Sequence, residues 1–333
     1  MEDKGLAEKI YHNAIVIDGL VYGPAADSVD YFRKVKQAGV TATNVTIPAV
    51  GDGFVETKKK IAHWQKRIDE NSDFMAMTAS VSDIEQAKKD GKTAIIMGTQ
   101  NAVHLDDNLD NVDKLKELGL RIIQLTYQGP NSFGAGCGAD PNEKLTKFGK
   151  ELVRKMNDAG VLVDLSHSGY RTTLDAIAES RYPCVFSHAN ARALCDHIRN
   201  KSDEQIKALA EKGGVMGVVN YAPFTDIKKN RRPTTSEFVD VIEYVIDLVG
   251  LEHVGIGLDF TPTWTETEYK EAQKMFPEIY LDYRMSEIPL KGLEDISKVS
   301  GITQGLVQRG HSEQDIKKIL GGNFLRVFKQ VWK

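Results

Sequence analysis

Two stretches of the sequence share one pattern: VLVDLSH at residues 161–167 and CVFSH at residues 184–188. Each is a short apolar run that ends in serine and histidine, and the segment between them has the spacing of an amphipathic helix. Continuous apolar runs of strand length indicate strands buried on both faces, which is typical of a parallel sheet covered by helices. The pair therefore predicts two neighbouring parallel strands joined by a helix.

Eight apolar runs of this kind recur along the chain. They occupy residues 14–18, 40–47, 93–98, 121–127, 161–166, 184–187, 215–220 and 254–258. Amphipathic, charged segments lie between them, at residues 28–37, 56–69, 81–89, 111–118, 145–158, 170–180, 203–211 and 235–249. Eight strands that alternate with eight helices predict an α/β protein with a closed (β/α)8 TIM barrel.

Two segments fall outside this alternation. Residues 264–288 are aromatic and irregular, and we expect a long loop after the eighth strand. Residues 311–333 carry an apolar stripe at helical spacing, which predicts C-terminal helices packed on the barrel. No linker rich in proline or serine divides the 333 residues, so a single domain is expected over residues 1–333.

Charge and cysteine content exclude several classes of protein. The chain has 43 Lys+Arg against 47 Asp+Glu, a formal net charge of −4, which lacks the basic excess of a nucleic-acid-binding protein. Its three cysteines do not form a disulfide framework. We recognise neither a signal peptide nor an apolar run of membrane-spanning length, and we expect a cytoplasmic protein with no nucleic-acid or membrane partner.

Polar residues at predicted strand ends mark the expected site, because the chemistry of such barrels lies at the C-terminal ends of the strands. His167 ends the fifth predicted strand, His188 ends the sixth, and Asp259 follows the eighth. Neighbouring parallel strands lie about 4.8 Å apart, so both imidazoles are expected to point into one mouth. Ring nitrogens placed in this way suit a divalent metal at about 2.0–2.1 Å. The alternative is that each histidine only caps its strand.

The remaining histidines carry less information. His104 lies four residues beyond Gln100 and is a candidate substitute ligand. The others are expected to be surface or packing residues: His12, His63, His197, His253 and His311.

Longer blocks of the sequence point to a known family. They are VIDG near the start, LTYQGPNSFGAGC, GVLVDLSHSG, FSHANARALCDHIRNKSDEQIKAL, GGVMGVVNYAPF, HVGIGLDF, and GGNFLRVF near the end. In this order they resemble the membrane dipeptidase (renal dipeptidase) family of zinc peptidases, which belongs with the amidohydrolase-like barrels. The resemblance runs almost from end to end of the chain. It implies a barrel of the metal-dependent hydrolase type and an activity on dipeptides.

The resemblance also implies roles for individual residues. His167 and His188 match the ligands of the second of two zinc ions, and Asp259 matches the aspartate beside the metal-bound water, the natural general base. Arg199 matches the residue that receives the terminal carboxylate of the dipeptide, a role that suits the bidentate fork of a guanidinium. Tyr127 stands where many members have a histidine that polarises the scissile carbonyl, and a tyrosine hydroxyl can donate to the same oxygen.

Two further residues are assigned to substrate binding by their blocks. Asn131 lies in LTYQGPNSFGAGC after the fourth predicted strand, and Tyr221 follows the seventh.

The chain departs from the family where the first zinc ion would bind. The resemblance implies a His-x-Asp pair after the first strand and a bridging glutamate after the third. The chain has Leu20, Tyr22 and Gln100 at these positions. A paired-zinc centre is therefore not expected. We expect at most one ion, zinc or another divalent metal, at His167 and His188, with Gln100 or water completing the site, or no metal at all.

Three functional interpretations follow. The first is a dipeptidase-like hydrolase with a reduced metal site, acting on a dipeptide or an amino-acid amide. The second is a metal-independent barrel enzyme that uses acid–base chemistry, and the third is a non-catalytic ligand-binding relative. The first is favoured because His167, His188, Asp259 and Arg199 are all present. Members of the family are commonly homodimers, which is the expected assembly here.

Overall fold

The computed structural model describes residues 2–229 and 232–332. Its nine described strands form one parallel sheet. They are β1 (Ile17–Val21), β2 (Ala42–Thr46), β3 (Met75–Met77), β4 (Thr93–Thr99), β5 (Leu120–Gln124), β6 (Leu162–Asp164), β7 (Val185–Ala189), β8 (Val215–Val218) and β9 (Val254–Ile256). The order is β2-β1-β9-β8-β7-β6-β5-β4-β3, and an additional pairing of β2 with β4 closes the ring. The eight strands other than β3 form the predicted TIM barrel.

Fourteen α-helices are described around and after the strands. They are α1 (Glu2–Asn13), α2 (Val29–Gln37), α3 (Phe54–Glu70), α4 (Val81–Asp90), α5 (Asp110–Glu117), α6 (Lys147–Ala159), α7 (Tyr170–Glu179), α8 (Asp203–Glu211), α9 (Ala222–Thr225), α10 (Thr235–Val249), α11 (Glu266–Met275), α12 (Ser300–Gln308), α13 (Glu313–Lys317) and α14 (Asn323–Val331). No helix in the described part of the chain combines the length and apolarity needed to cross a bilayer.

The N-terminal end of the barrel is closed by the C-terminal helix. One buried cluster joins the first residues of several strands to one face of α14: Ile17, Ala42, Ala94, Ile96, Ile122, Leu162, Val185 and Val215 with Phe324, Val327, Phe328 and Val331. The predicted packing of the C-terminal segment on the barrel is confirmed. Because this end is filled with apolar side chains, a polar site can lie only at the opposite end, where the strands finish.

The backbone of β7 lies deep in the barrel because its neighbours there are glycines. A Cβ atom added to Gly257 would lie 1.9 Å from the carbonyl oxygen of Ser187, and one added to Gly217 would lie 2.2 Å from it. Any side chain at these positions would displace the end of β7. The glycines therefore fix the position of Ser187 and of His188, which follows it.

The strand and helix predictions need three corrections. Strand β3 was missed because it has only three residues and pairs with the first half of β4 alone. The long loop predicted for residues 264–288 is wrong, because it contains α11. That helix begins with a capping box in which the hydroxyl of Thr265 and the carboxylate of Glu268 each accept a backbone N–H, and the Thr-x-x-Glu spacing was a readable signal. The helices α1 and α12 were not predicted.

Candidate active site

The ends of β6 and β7 bring two histidines together. His188 lies on β7 and His167 lies three residues beyond the end of β6. Their Nε2 atoms are 2.9 Å apart, at hydrogen-bond distance, and both side chains are buried. The structure thus places both imidazoles in one mouth, in the arrangement that the repeated Ser-His pattern indicates.

A buried carboxylate orients His188. The hydroxyl of Ser187 donates to Asp164 Oδ2 at 2.5 Å, and the hydroxyl of Ser166 donates to Oδ1 at 2.6 Å. Because the Ser187 proton is committed to Asp164, the Nδ1–H of His188 donates to Ser187 Oγ, 2.7 Å away. This bond leaves the Nε2 lone pair of His188 directed at the mouth. The serine before each histidine therefore serves the site, and the DLS segment was the signal that sequence reasoning missed.

His167 is held by a neighbouring loop. Its Nδ1 atom lies 3.3 Å from Gln128 Oε1, and the ring of Tyr127 stacks on it with centroids 4.3 Å apart. The hydroxyl of Tyr127 lies 3.1 Å from the hydroxyl of Tyr280, and Gln128 Nε2 donates to that same oxygen. Tyr127 is therefore fixed against the histidine pair. Its burial raises the pKa of its hydroxyl well above the usual value, so the group keeps its proton.

Two buried cations lie beside the histidines. Burial lowers the pKa of both imidazoles well below the usual value, and the Arg199 guanidinium and the Lys201 ammonium lower it further. His167 and His188 are therefore neutral near pH 7. The Lys201 side chain is itself buried, which lowers its pKa to about 7, and its Nζ donates to the carbonyl oxygen of Ser168 at 2.7 Å.

The Arg199 guanidinium ties the ends of β6 and β7 to the site. It donates through one terminal nitrogen to the His188 carbonyl at 2.8 Å and through the other to the Ser166 carbonyl. Its Nε atom is buried and has no hydrogen-bond partner among the described residues. Because a buried N–H without a partner is costly, this donor is available to a ligand.

Asp259 is the titratable carboxyl group of the site. Burial raises its pKa to about 7, and the nearby Arg199 guanidinium opposes part of that rise. Its φ angle of 53° lies in the left-handed region, which is uncommon outside glycine and clusters at functional sites. Burial also raises the pKa of Asp18 to about 7, but that carboxylate accepts the backbone N–H groups of Leu20 and Leu258, and so joins β1 to the end of β9.

A cavity of about 30 Å³ lies among His167, Arg199 and Asp259, while His188 and Lys201 do not line it. Its wall includes His167, Arg199, Asp259 and Gln100, together with the rings of Tyr22, Tyr127, Tyr221, Phe224, Trp264 and Tyr280. Tyr221, assigned to substrate binding from the sequence, therefore lies at the site. Asn131 does not line the cavity. Its amide donates to Asn101 Oδ1 and to the Leu125 carbonyl and accepts two backbone N–H groups, so the side chain holds its own loop.

The candidate ligand His104 also lies outside this cavity. Its Nδ1 contacts the carbonyl oxygen of Asn101 at 2.5 Å, and burial lowers its pKa to about 4.

The residues at the first metal position do not fit a metal ion. Leu20 is a buried apolar side chain, and Tyr22 packs edge-on against Trp264 with centroids 6.1 Å apart. Gln100 is neutral, and its Nε2 donates to Thr46 Oγ1 at 2.9 Å. Across residues 2–229 and 232–332, no three histidine, cysteine or carboxylate side chains are grouped so as to hold an ion. A paired-zinc centre is therefore incompatible with the described residues, which offer one ion only the two nitrogens of His167 and His188.

Comparisons with known proteins agree with the fold. The family model for membrane dipeptidase (peptidase family M19) matches residues 41–281 and 279–333. The dipeptidase tcpJ of Claviceps purpurea is 29% identical over 278 residues, 83% of this chain and 60% of that protein. The dipeptidase aclJ of Aspergillus oryzae is 30% identical over 295 residues, 87% of this chain and 64% of that protein. The chain thus spans about 60% of the length of these relatives.

Solved structures extend the likeness over the whole described barrel. An amidohydrolase from Pseudomonas aeruginosa superposes with a TM-score of 0.90 at 34% identity, covering 98% of this chain and 99% of that one. A metallo peptidase from Rhodobacter sphaeroides, liganded with a phosphinate mimic of the dipeptide L-Ala-D-Ala, has a TM-score of 0.80 at 20% identity, covering 96% and 100%, and shares the fold. The family indicated by the sequence blocks is confirmed. The chain belongs to the membrane dipeptidase family, peptidase family M19.

Proposed function

We propose that this chain is a dipeptidase-like hydrolase that cleaves the amide bond of a dipeptide or a related small amide. The observation that carries the proposal is the Asp259 carboxyl group, whose pKa is raised to about 7 in the cavity that also contains His167 and Arg199. A general base is most effective when its pKa lies near the working pH. Membership of a family whose relatives include dipeptidases supports this choice of reaction.

The chemistry requires a water molecule next to the base. A cavity of about 30 Å³ has room for roughly two waters, at about 10–15 Å³ each. Asp259 takes one proton as the water oxygen bonds to the carbonyl carbon. When the C–N bond breaks, the same proton passes to the leaving nitrogen, so the carboxylate is regenerated and the products are an acid and an amine.

Donors around the cavity suit the charge that develops in this reaction. The hydroxyl of Tyr127 keeps its proton and can donate to the carbonyl oxygen as that oxygen becomes negative. Arg199 presents its unpartnered Nε–H, and its positive charge suits the terminal carboxylate of a dipeptide. Because backbone carbonyls already hold its two terminal nitrogens, the guanidinium needs no reordering when a substrate arrives.

We propose that this chain binds fewer metal ions than is general in the family. The family is generally zinc-dependent, whereas the described residues do not fit a pair of ions. We place at most one divalent ion, zinc or another, at His167 and His188, completed by Gln100 or water. The steps above use Asp259, Tyr127 and Arg199 alone. A homodimer, the expected assembly, is tested by light scattering of the purified protein.

The proposal is tested by hydrolysis of a dipeptide panel, with chelator and with added Zn, Mn or Co. We expect turnover that falls about 100-fold to 10,000-fold in Asp259→Asn, because the base is lost while the shape is kept. Asp247→Asn, an exposed carboxyl group on α10, is the matched control and should keep full turnover. Full activity in Asp259→Asn, or no hydrolysis of any panel member under any metal condition, would overturn the proposal.

A further inference from the structure

A second cavity lies on the other side of Asp259. Its volume is about 480 Å³, against about 30 Å³ for the histidine cavity. Three residues line both cavities: Asp259, Thr261 and Trp264. The candidate base, Asp259, therefore lies between the small cavity, which has room for water, and the larger one. Cavities that bind small organic molecules have volumes of about 300–1,000 Å³, and the larger cavity falls in this range.

The small cavity can take only the polar groups of a substrate, in place of its waters, where Tyr127 and Arg199 line it. It has room for roughly two water molecules, and a leucine side chain is already larger than that. An amide whose carbonyl carbon approaches Asp259 must therefore extend into the larger cavity or into solvent. The larger cavity borders Asp259 and has the volume to enclose such a group.

The larger cavity has an apolar part to its wall, beside polar and charged residues. Five apolar side chains contribute to this part: Phe260, Trp264, Met285, Ile288 and Ile296. They come from the segment between β9 and α12, and the ring of Tyr31 on α2 contributes the facing side. Burial of an apolar group against such a wall is favourable by about 25 cal/mol per Å² of surface removed from water.

The charged groups at the rim are already engaged. The Glu294 carboxylate pairs with the Lys298 ammonium at 2.6 Å, which holds its pKa down at about 2. The Asp295 carboxylate accepts the hydroxyl of Ser297 at 2.5 Å and its backbone N–H at 2.8 Å, and these bonds hold its pKa below the ordinary value. Both carboxylates therefore already have partners, so the rim does not call for a cationic ligand.

We propose that the larger cavity is a subsite for a bulky apolar group, aliphatic or aromatic, of the amide substrate. The scissile carbonyl then lies at Asp259, with water on the histidine side and the apolar group on the other. This inference rests on the proposed function and adds the class of substrate: amides with a large apolar side chain. Amides whose side chains are only methyl groups leave the cavity unfilled.

The test compares the two classes of substrate in two matched variants. Ser286 is exposed and lines the larger cavity, so Ser286→Phe adds a ring at its entrance with little risk to folding. Thr267→Phe adds a ring to the exposed face of α11 and is the control. The measured quantity is the ratio of kcat/KM for Phe-Phe to that for Ala-Ala.

We expect this ratio to be about 10 or more in the unmodified protein. A large apolar group that fits its pocket typically raises kcat/KM by at least that factor. Ser286→Phe should lower the ratio at least about 10-fold, chiefly through KM, and Thr267→Phe should leave it unchanged. A ratio near one, or the same ratio in all three proteins, would overturn the subsite while hydrolysis itself still supports the proposed function.

A second measurement does not depend on hydrolysis. Tryptophan fluorescence, to which Trp264 in the cavity wall contributes, is followed during titration with 3-phenyl-1-propanol, which has no amide bond, and with 1-propanol. Saturable binding of the phenyl compound alone, lost in Ser286→Phe and kept in Thr267→Phe, supports the subsite even if no amide is cleaved and the proposed function fails. Absence of binding in the unmodified protein overturns it.

Discussion

The two halves of the barrel mouth differ in what their strands present to the site. On the side of β1 and β4 the family's ligand positions carry Leu20, Tyr22 and Gln100, which are apolar or uncharged. On the side of β6, β7 and β9, His167, His188 and Asp259 converge with a buried guanidinium. The same scaffold thus supports one half with apolar or uncharged side chains and one half in which two imidazoles lie together, one of them sharing a cavity with a guanidinium and a carboxyl group.

The comparison teaches that a site can change in one half when the other is held by its own network. His188 is oriented through the side chains of Ser187 and Asp164, whose described hydrogen bonds join β6 to β7 and do not reach Leu20, Tyr22 or Gln100. In that first half, aromatic packing of Tyr22 on Trp264 occupies the space of a ligand. The predictions below test whether the chemistry resides in the β6–β7–β9 half.

The largest expected effect beyond the loss of turnover in Asp259→Asn concerns pH. The folded carboxyl group holds its proton up to about pH 7, whereas the unfolded chain loses it near the ordinary pKa of 3.8. The folded state therefore binds more protons between these values, and this group's contribution to the unfolding free energy falls as pH rises through that window. The activity of the unmodified protein should rise through about pH 7 as Asp259 ionises.

The stability part of this prediction has a matched comparison. Between pH 5 and pH 8 the Tm of Asp259→Asn should fall less than that of the unmodified protein, because asparagine has no charge to bury. The pKa of Asp18 is also raised to about 7, chiefly by burial, so its contribution is common to both proteins apart from the lesser part that the Asp259 charge adds. Equal falls in Tm by circular dichroism would show that Asp259 is not desolvated in the folded state.

A smaller loss is expected when the support of His188 is removed. Asp164→Asn takes away the carboxylate that accepts two serine hydroxyls, so the Nδ1–H of His188 loses its fixed acceptor. We expect turnover to fall about 10-fold to 100-fold, the usual effect of a residue that orients a site histidine. Asp158→Asn, an exposed carboxyl group on α6, is the control.

Because Asp164 is buried, Asp164→Asn is also expected to destabilise the fold. The pH profile of turnover distinguishes this effect from a changed orientation of His188. A changed orientation of His188 should alter that profile in the folded variant, whereas simple unfolding lowers the amount of active protein and leaves the profile unchanged. An unaltered pH profile with normal turnover per folded molecule would show that Asp164 does not support turnover through His188.

The smallest effects separate two tyrosines in the same cavity. Tyr127→Phe removes a hydroxyl that is proposed to donate to the carbonyl oxygen, and we expect kcat to fall about 10-fold or more. Tyr22→Phe keeps the ring against Trp264 and should change kcat less than about 2-fold, because packing is unaffected. A larger loss of kcat in Tyr22→Phe than in Tyr127→Phe would place the chemistry in the β1–β4 half of the mouth.

Sequence reasoning reached the barrel because buried parallel strands are continuous apolar runs that need no long-range information. It reached His167, His188 and Asp259 because they end such runs. It missed Asp164, although the DLS segment places a carboxyl group and a serine just before His167, because no local pattern shows that the second serine, Ser187, comes from the next strand. It also assigned Asn131 to substrate binding. In the structure, the Asn131 side chain accepts two backbone N–H groups of its own loop.

The larger cavity was equally beyond reach from sequence. Its wall joins α2 to a segment after β9, two parts of the chain more than 200 residues apart, and the helix α11 in that segment was predicted as a loop. Apolar residues in an irregular segment form no recognisable pattern, so their role becomes clear only when the fold shows which residues face them. Pairings at this separation depend on the closed barrel rather than on any local pattern.

The measurement that tests the central claim most directly is the number of divalent ions bound per chain. The protein is purified without chelator, loaded with excess zinc, desalted and analysed by mass spectrometry of metals, beside the variant Leu20→His, Tyr22→Asp, Gln100→Glu. We predict at most one ion per chain in the unmodified protein and two in the variant, which restores the ligands implied by the family resemblance. Two ions per chain in the unmodified protein would contradict the account.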